Sequence, residues 1–541
     1  MTLNLIHHAW LPVRRRDGTT CLIAPHEIAP DHPNPVVALD WPRPDFNLAA
    51  TEFLIGLHAV AGPPAHDDDW SDRYLSPPDA AALQAEFAPL APCFELDGPG
   101  PRFMQDREDF PGEPNPPASL LIDAPGENTI KRNTDIMVRR GGARHMSRAT
   151  AAMALYTLQS FAPSGGAGNR TGLRGGGPLV TLALPDPRPG DHVTTLWHIV
   201  WANTPIHARP TPSDYPRIFP WLAPTRVSDK TGRATTPVDV HPLQAFWGMP
   251  RRIRLDFAPN TEHLPCDLTG AIDNVLITGW RQKPWGTNYA DWGKVHPNAP
   301  CYRVKPNAEL LYVHPQPGGI GYRNFLGLLF EDTDALSQVA PGIAQFRRLM
   351  VDVQTPPLTW RLLAAGYDMD NMKARGFVES ELPVVQSADP DARARQDAQL
   401  RRMVLAAGMV AGLLLRCVRT ALFGDGTVPA DAASLAALRE RFWDSTSGPF
   451  FDLMQNADTT ETTSTAWLAA LNRHARALFD EAAPIDASGE GHPDRIAGAA
   501  RQLGLTLAGY GAEGQKLFRE LGLAPPETAA KPKRGKKGTT P

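Results

Sequence analysis

The stretch "LRRMVLAAGMVAGLLLRC", Leu400 to Cys417, is the most apolar in the chain, and the fold class turns on how it is read. Its uncharged core, Met403 to Leu415, falls short of the ~20 residues that a bilayer span needs, and Arg401, Arg402 and Arg416 flank it. Leu400, Met403, Val404 and Ala407 recur at i, i+3, i+4 and i+7, the spacing of one helix face, so a buried core helix is expected. Outward from it the chain reads as helix throughout. Four amphipathic segments separate at turn signals: roughly 391–423 ending at "FGDG", 431–455, 462–483 ending near Pro484, and 492–521. Short connections between such helices predict a four-helix bundle over 391–526. The final "KPKRGKKGTTP" carries five basic residues and no acid, which predicts a disordered basic tail over 527–541.

Upstream the texture changes. The chain holds 55 prolines, crowded into the first 390 residues, so this part is cut into short elements. Strand-like runs such as "PLVTLAL" (Pro178–Leu184) and "RRIRLDF" (Arg251–Phe257) alternate with loops, and "MSRATAAMALYTLQSF" predicts a helix ending before Pro163. The expected fold is therefore α+β: a large mixed α/β N-terminal domain over 1–390, then the bundle. A length of 541 residues is too great for one ordinary core, and no repeat of 20–50 residues suggests a solenoid. With 54 Lys+Arg against 58 Asp+Glu, wholesale electrostatic binding of nucleic acid is disfavoured, but a local basic site is not. Five scattered cysteines form no CxxC pair, and the N-terminus has no charged segment before an apolar run. A cytoplasmic protein without a membrane partner is expected.

Glycine is densest in "SGGAGNRTGLRGGG" (Ser164–Gly177), with seven glycines in fourteen residues. A phosphate-binding P-loop would need a Lys-Ser/Thr pair after its last glycine, and a dinucleotide fingerprint would need a strand before it and a helix after it. Here the helix comes first and no such lysine follows. What remains is either a tight connector or a weakly basic bare-backbone surface (Arg170, Arg174) able to lie against a DNA minor groove. Just upstream, Lys131 to Arg148 holds six basic residues (Lys131, Arg132, Arg139, Arg140, Arg144, Arg148) against the single acid Asp135, a local basic site.

Catalytic signatures are thin. GxSxG and HExxH are absent, His7–His8 reads as part of a strand, and "HDDDW" (His66–Trp70) reads as a solvated loop rather than a metal site. "GYDMDNMKARGF" (Gly366–Phe377) is dense in polar groups. With Glu379, its Asp368 and Asp370 leave a divalent-metal nuclease open as an alternative.

Taken in order, "LNLIHHAWLPVRRRDGTT", "SGGAGNRTGLRGGGPLVTL", "AFWGMPRRIRL", "HPNAPCY" and "GYDMDNMKARGF" resemble the CasA family, the large subunit of the type I-E CRISPR surveillance complex Cascade. The resemblance covers residues 1–525. It implies a non-enzymatic subunit without metal or cofactor that recognises the protospacer-adjacent motif (PAM) of double-stranded target DNA through the minor groove. It also implies help in opening the duplex for the guide RNA, and partners in the other Cascade subunits, the guide-RNA 5′ handle and a helicase–nuclease.

Residue by residue, the resemblance implies a glycine loop at Gly165, Gly166, Ala167, Gly168 and Asn169, and a lysine finger at Lys283 in "TGWRQKPW", with Arg281 as the alternative. It implies a wedge hairpin with Asp370, Asn371, Met372, Lys373 and Ala374 at its tip. A loop facing the guide RNA and a neighbouring subunit corresponds to Asn133 through Arg140, with Ile136, Val138, Arg139 and Arg140 in it. The wedge departs from the best-known pattern in having no glutamine, so Met372 is expected to supply the intruding body. A lone Cys266 replaces the CxxC pair of some members. A guide-RNA-binding structural subunit without PAM readout remains the third reading.

Overall fold

The computed structural model describes residues 2–135, 142–163, 165–166, 168–187, 193–229, 232–331, 336–370, 373–424, 433–455, 460–484 and 492–527. It divides into two compact units. One comprises Met1–Ile320 and Gly327–Ala388, the other Gly321–Leu326 and Asp389–Pro541.

In the first unit, the helix Pro44–Ala61 is buried along almost its whole length, which its run of Leu, Ala, Phe, Ile and Val permits. Phe53 on this helix has Trp10, Phe94, Phe103, Tyr156 and Trp247 packed edge-on around it, at ring centroid separations of 5.4–5.9 Å. Edge-to-face aromatic pairs add about 0.5–1.5 kcal/mol each beyond their buried area. Gly56 makes the close approach possible: a Cβ there would lie 2.8 Å from the Trp247 ring. The helix Arg148–Phe161 packs alongside, capped by the Ser147 hydroxyl, which accepts from the Thr150 amide.

Among the described residues the first unit also holds four three-stranded antiparallel sheets and one parallel strand pair, and three of those sheets position the segments below. Leu11–Arg15 pairs between Thr20–Ile23 and Val36–Leu39, and Arg252–Pro259 pairs with Val275–Lys283, whose far edge carries Met146–Ser147. Leu358–Asp370 pairs along its length with Lys373–Gln386 and, on its other side, with Val180–Pro185. The strand-like runs at 178–184 and 251–257 thus lie in sheets. His7 and His8, expected in a strand, instead sit in a turn. The Asn4 side chain accepts from the Ile6 and His7 amides, and the Asn4 amide donates to His8 Nδ1 at 2.9 Å.

A buried ion pair joins the first helix to the glycine-rich segment. Arg174 donates to both Glu52 oxygens at 2.7 and 2.8 Å, and neither side chain is more than 3% exposed. His296 Nε2 lies 3.6 Å from Glu52, and burial beside the Arg174 charge holds its pKa well below the ordinary value. Arg174 therefore belongs to the core and not to a basic surface.

The second unit is helical. Asp389 caps the long helix Pro390–Phe423 by accepting from the Ala392 amide at 2.7 Å, with Pro390 in the first turn. Leu400, Met403, Val404, Ala407, Val410 and Leu414 on it are buried. By length and composition alone this helix could cross a membrane, yet its apolar face packs on Ala433–Gln455, Thr460–Ala482 and Pro493–Leu507. Trp467 Nε1 donates to the Met403 carbonyl at 2.9 Å. Tyr322, from the short segment assigned to this unit, stacks on Phe450 at 4.2 Å and shares a 2.7 Å hydrogen bond with Thr446. The fourth helical stretch is broken into Pro493–Leu507 and Gly511–Glu520, because Gly509 and Gly511 adopt φ of +87° and +74°. The tail beyond 527 lies outside the described residues.

Glu52→Gln is expected to destabilise the protein by about 3–5 kcal/mol, because it strands the Arg174 guanidinium in the core. Adding Arg174→Met should recover most of that loss. Denaturant midpoints of the two single variants and the double variant measure the coupling, and additive losses would count against a coupled pair.

Candidate nucleic-acid interface

The chain leaves the Arg148–Phe161 helix at Ala162–Pro163 and enters the glycine segment. Its second half folds back on the helix end: the Gly172 and Gly177 amides donate to the carbonyls of Ala162 and Phe161 at 2.9 and 3.1 Å. There the glycines are demanded by packing. A Cβ on Gly172 would sit 2.9 Å from the Ser160 carbonyl oxygen, and one on Gly177 (φ +64°) would sit 2.8 Å from Met369.

The first half behaves differently. Gly166 is exposed, at φ +81°, with open space where a side chain would be. Gly168, also left-handed at φ +83°, is buried against the next element: a Cβ on it would meet the Pro284 Cβ at 2.5 Å. Asn169 turns inward, its Nδ2 donating to the Gly165 carbonyl at 2.6 Å, while its amide closes a turn onto Gly166. Ala167 lies outside the described residues.

The element against Gly168 is the end of the strand that carries Lys283. The Trp285 amide donates to the Gly168 carbonyl at 2.8 Å, and Arg170 beyond the loop lies over the Trp285 ring at 5.3 Å. The glycine loop and the finger candidate are thus knitted together two residues past Lys283. Lys283 itself is half-exposed, lies over the Phe110 ring at 5.5 Å, and is latched by Glu108 at 2.9 Å. Glu108 also holds Arg252, the cross-strand partner of Lys283, at 3.0 Å, and the two cations push its carboxyl below the usual range. Arg281, the alternative finger, is occupied by Asp256 at 2.6 Å and the Gly112 carbonyl at 2.9 Å. Lys283 has the freer reach.

The third element is the hairpin of Leu358–Asp370 and Lys373–Gln386. Beyond Ala365 the third strand ends and a two-stranded ribbon continues to the Asp370–Lys373 pair. Near its end the register slips, leaving Arg375 as an extra residue whose guanidinium bonds Asp368 at 2.6 Å. Asp370 and Lys373 are exposed and Ala374 is half-buried, while Asn371 and Met372 at the tip lie outside the described residues. Tyr367 anchors the base of this extension. It is buried, donates to Asp45, and stands beside the Arg43 that is bound to Asp45 at 3.0 Å. Through Gly177 against Tyr367 and Met369, the hairpin touches the same glycine segment that Lys283's strand touches through Gly168.

The fourth expectation is only partly placed. Asn133 is exposed at φ +52°, and its amide bonds the Ile130 carbonyl at 3.1 Å. Ile136, Val138, Arg139 and Arg140 lie outside the described residues. Of the remaining basic cluster, Lys131, Arg132 and Arg144 are exposed. Arg148 is instead clamped by Asp273 at 2.7 Å and Asp97 at 3.2 Å, a structural role.

A nuclease centre finds little support in the carboxylates. Asp368 and Asp370 share one face of their strand, whereas Glu379, paired opposite Ala365, faces the other side. No group of three or more metal-ligating side chains occurs among the described residues. Asp67 and Asp69 of "HDDDW" bind Arg348 and cap a helix. Glu108 and the Pro284–Trp285 contact had no sequence signal, since Glu108 and Lys283 stand 175 residues apart.

A family model described as CRISPR-associated protein Cse1 matches residues 4–478. Among solved structures, CasA of Thermus thermophilus superposes with a TM-score of 0.67 at 19% identity, covering 94% of this chain and 100% of that one. Cse1 of Acidimicrobium ferrooxidans gives 0.64 at 18% identity, with 96% and 98% covered. A chain of a CRISPR RNA-guided surveillance complex gives 0.66 at 15% identity, with 94% and 99% covered. At these identities the structural likeness speaks for the fold, and the family match across most of the sequence speaks for descent. This chain belongs to the CRISPR-associated protein Cse1 family, also called CasA.

Proposed function

We propose that the chain is the non-enzymatic large subunit of a cytoplasmic type I-E Cascade complex. In this reading it recognises the PAM of double-stranded target DNA through the minor groove and starts duplex opening for the guide RNA. The observation that carries it is the meeting of three elements on one glycine segment: open backbone at Gly166, Pro284 and Trp285 just past Lys283 against Gly168, and Tyr367 and Met369 of the hairpin against Gly177. A bare backbone can approach base edges and sugars that side chains would obstruct, and minor-groove readout is degenerate, so several PAM sequences should be accepted. Unstacking the first base step costs a few kcal/mol, and contacts at the ribbon tip (Asp370, Asn371, Met372, Lys373, Ala374) together with RNA–DNA pairing would offset it. The segment Asn133–Arg140 is assigned to the guide-RNA 5′ handle and neighbouring subunits. The helicase–nuclease is the partner that acts on the opened target.

Gly166 is the clean probe of the loop, because Gly168 cannot take a side chain without disturbing Pro284. In the assembled complex, Gly166→Asp should abolish PAM-dependent DNA binding while leaving guide-RNA assembly intact. Wild-type target affinity in a mobility shift would refute the loop assignment. Glu108→Gln releases Lys283, while Arg252 stays bound to Asp106, so target affinity should rise several-fold and discrimination between PAM sequences should relax; unchanged binding across a PAM library would sink the latch. Alanine at Asn371, Met372 and Lys373 should slow R-loop formation on linear DNA more than on negatively supercoiled DNA. Equal slowing on both would argue against a wedge.

A further inference from the structure

Cations around the glycine segment fall into two groups. Arg252 is bound to Asp106 at 2.6 Å, Arg254 to Asp109 at 3.0 Å, Arg281 to Asp256 at 2.6 Å, Lys283 to Glu108 at 2.9 Å and Arg174 to Glu52 at 2.7 Å. Arg170 and Arg251 flank the loop itself and, among the described residues, neither forms an ion pair with a carboxylate. Arg251 lies on the side where the loop begins. Its Nη2 donates to the Pro163 carbonyl at 2.6 Å, and a Cβ on Gly165 would lie 3.0 Å from that nitrogen. Its Nε is buried without a hydrogen-bond partner. Arg170 lies where the loop leaves. Its Nε donates to the Ser228 hydroxyl at 2.9 Å and its Nη2 to the Asp229 carbonyl at 3.2 Å.

Among the described residues, both guanidinium groups therefore hydrogen-bond only to neutral oxygens, one at each end of Gly165–Asn169, and Arg170 also lies over the Trp285 ring. A half-buried guanidinium without a counter-charge is unfavourable, because desolvation is not offset by Coulomb attraction. For Arg251 this shows as a pKa drawn down to about 10 by burial alone, which still leaves it charged at neutral pH. The backbone of Arg251 is also fixed, its amide and carbonyl both bonded to the Gln159 side chain at 3.0 and 2.9 Å. The Arg251 charge is thus held in place with no carboxylate partner among the described residues, an arrangement that an anion would complement.

We propose that Arg251 and Arg170 are phosphate-contacting residues that seat the DNA backbone on either side of the glycine loop, setting its register without reading sequence. This rests on the DNA-binding reading above and adds to it two residues, Arg251 and Arg170, with a role distinct from the base-facing glycines. Phosphate contacts fix register and orientation, and each contributes about 0.9 to the slope of log K against log salt on duplex DNA.

The test measures affinity of the reconstituted complex for PAM-bearing duplexes over a range of salt concentrations. Arg251→Gln and Arg170→Gln should each flatten the slope by about 0.9, with the double variant near twice that. The loss should be uniform across PAM sequences. Arg251→Lys and Arg170→Lys, which keep the charge, should restore the slope, a rescue that a purely structural role would not give. An unchanged slope in the double glutamine variant, or a loss that differs between PAM sequences at constant slope, overturns the proposal. Gly166→Asp run in parallel separates the two levels. If it abolishes binding while the slopes stay fixed, only the phosphate assignment fails; if it binds normally, the glycine-loop reading fails whatever the slopes do.

Discussion

Arg174 leaves the glycine segment, enters the core and meets Glu52 of the first helix with both of its outer nitrogens. Because neither group reaches solvent, each is tolerable only while the other stays in place. That condition fixes the second half of the segment to the Phe53 aromatic cluster through one helix. Gly172 and Gly177 then close hydrogen bonds to the end of the Arg148–Phe161 helix, which the same cluster grips through Tyr156. The first half, exposed at Gly166, is left as a short span between rigid anchors. Its glycines are conformationally permissive, but the frame around them is not, so open backbone is presented without the full entropy cost of a free loop.

The same logic explains the distribution of charge. A chain with a net charge near zero has no general affinity for nucleic acid, and most cations near the loop are neutralised by partners distant in sequence. Lys283 is held by Glu108, whose carboxylate is more than half exposed, so that contact is worth little in free energy and is readily exchanged for a better anion. In the proposed reading, a lysine latched this way is held in place until DNA contact and then released. Among the described residues Arg251 and Arg170 carry no carboxylate to exchange, and in the proposed reading their charge is what an incoming phosphate would meet.

The sequence made the long helices legible because their apolar period matches the helical repeat over many residues, as at Leu400, Met403, Val404 and Ala407. It also ruled out two nucleotide readings of the glycine loop, since a P-loop fails there on its missing lysine and a dinucleotide fingerprint on element order. Features that depend on distant residues were not legible. Arg174 and Arg170 look alike in sequence, four residues apart in one loop, and only Glu52, far earlier in the chain, separates a core arginine from a surface one. The break at Gly509 was hidden because amphipathic spacing persists on both sides of it. The turn at His7 and His8 follows from Asn4, a local competitor for backbone amides that alternation does not register.

Gly166 and Gly168 show why composition alone cannot assign a loop. Both have positive φ, and both would be scored the same by conformational preference. Yet a side chain at Gly168 collides with Pro284, whereas one at Gly166 meets nothing. Gly168 is needed by the protein's own packing; Gly166 satisfies no internal contact that would exclude a Cβ. An exposed left-handed glycine with open space on its free side is a position where the constraint, if it is steric, comes from outside the chain. On a surface bordered by Lys283 and by two guanidiniums without carboxylate partners among the described residues, the proposed minor groove would be such a body, a polyanion that must be approached closely.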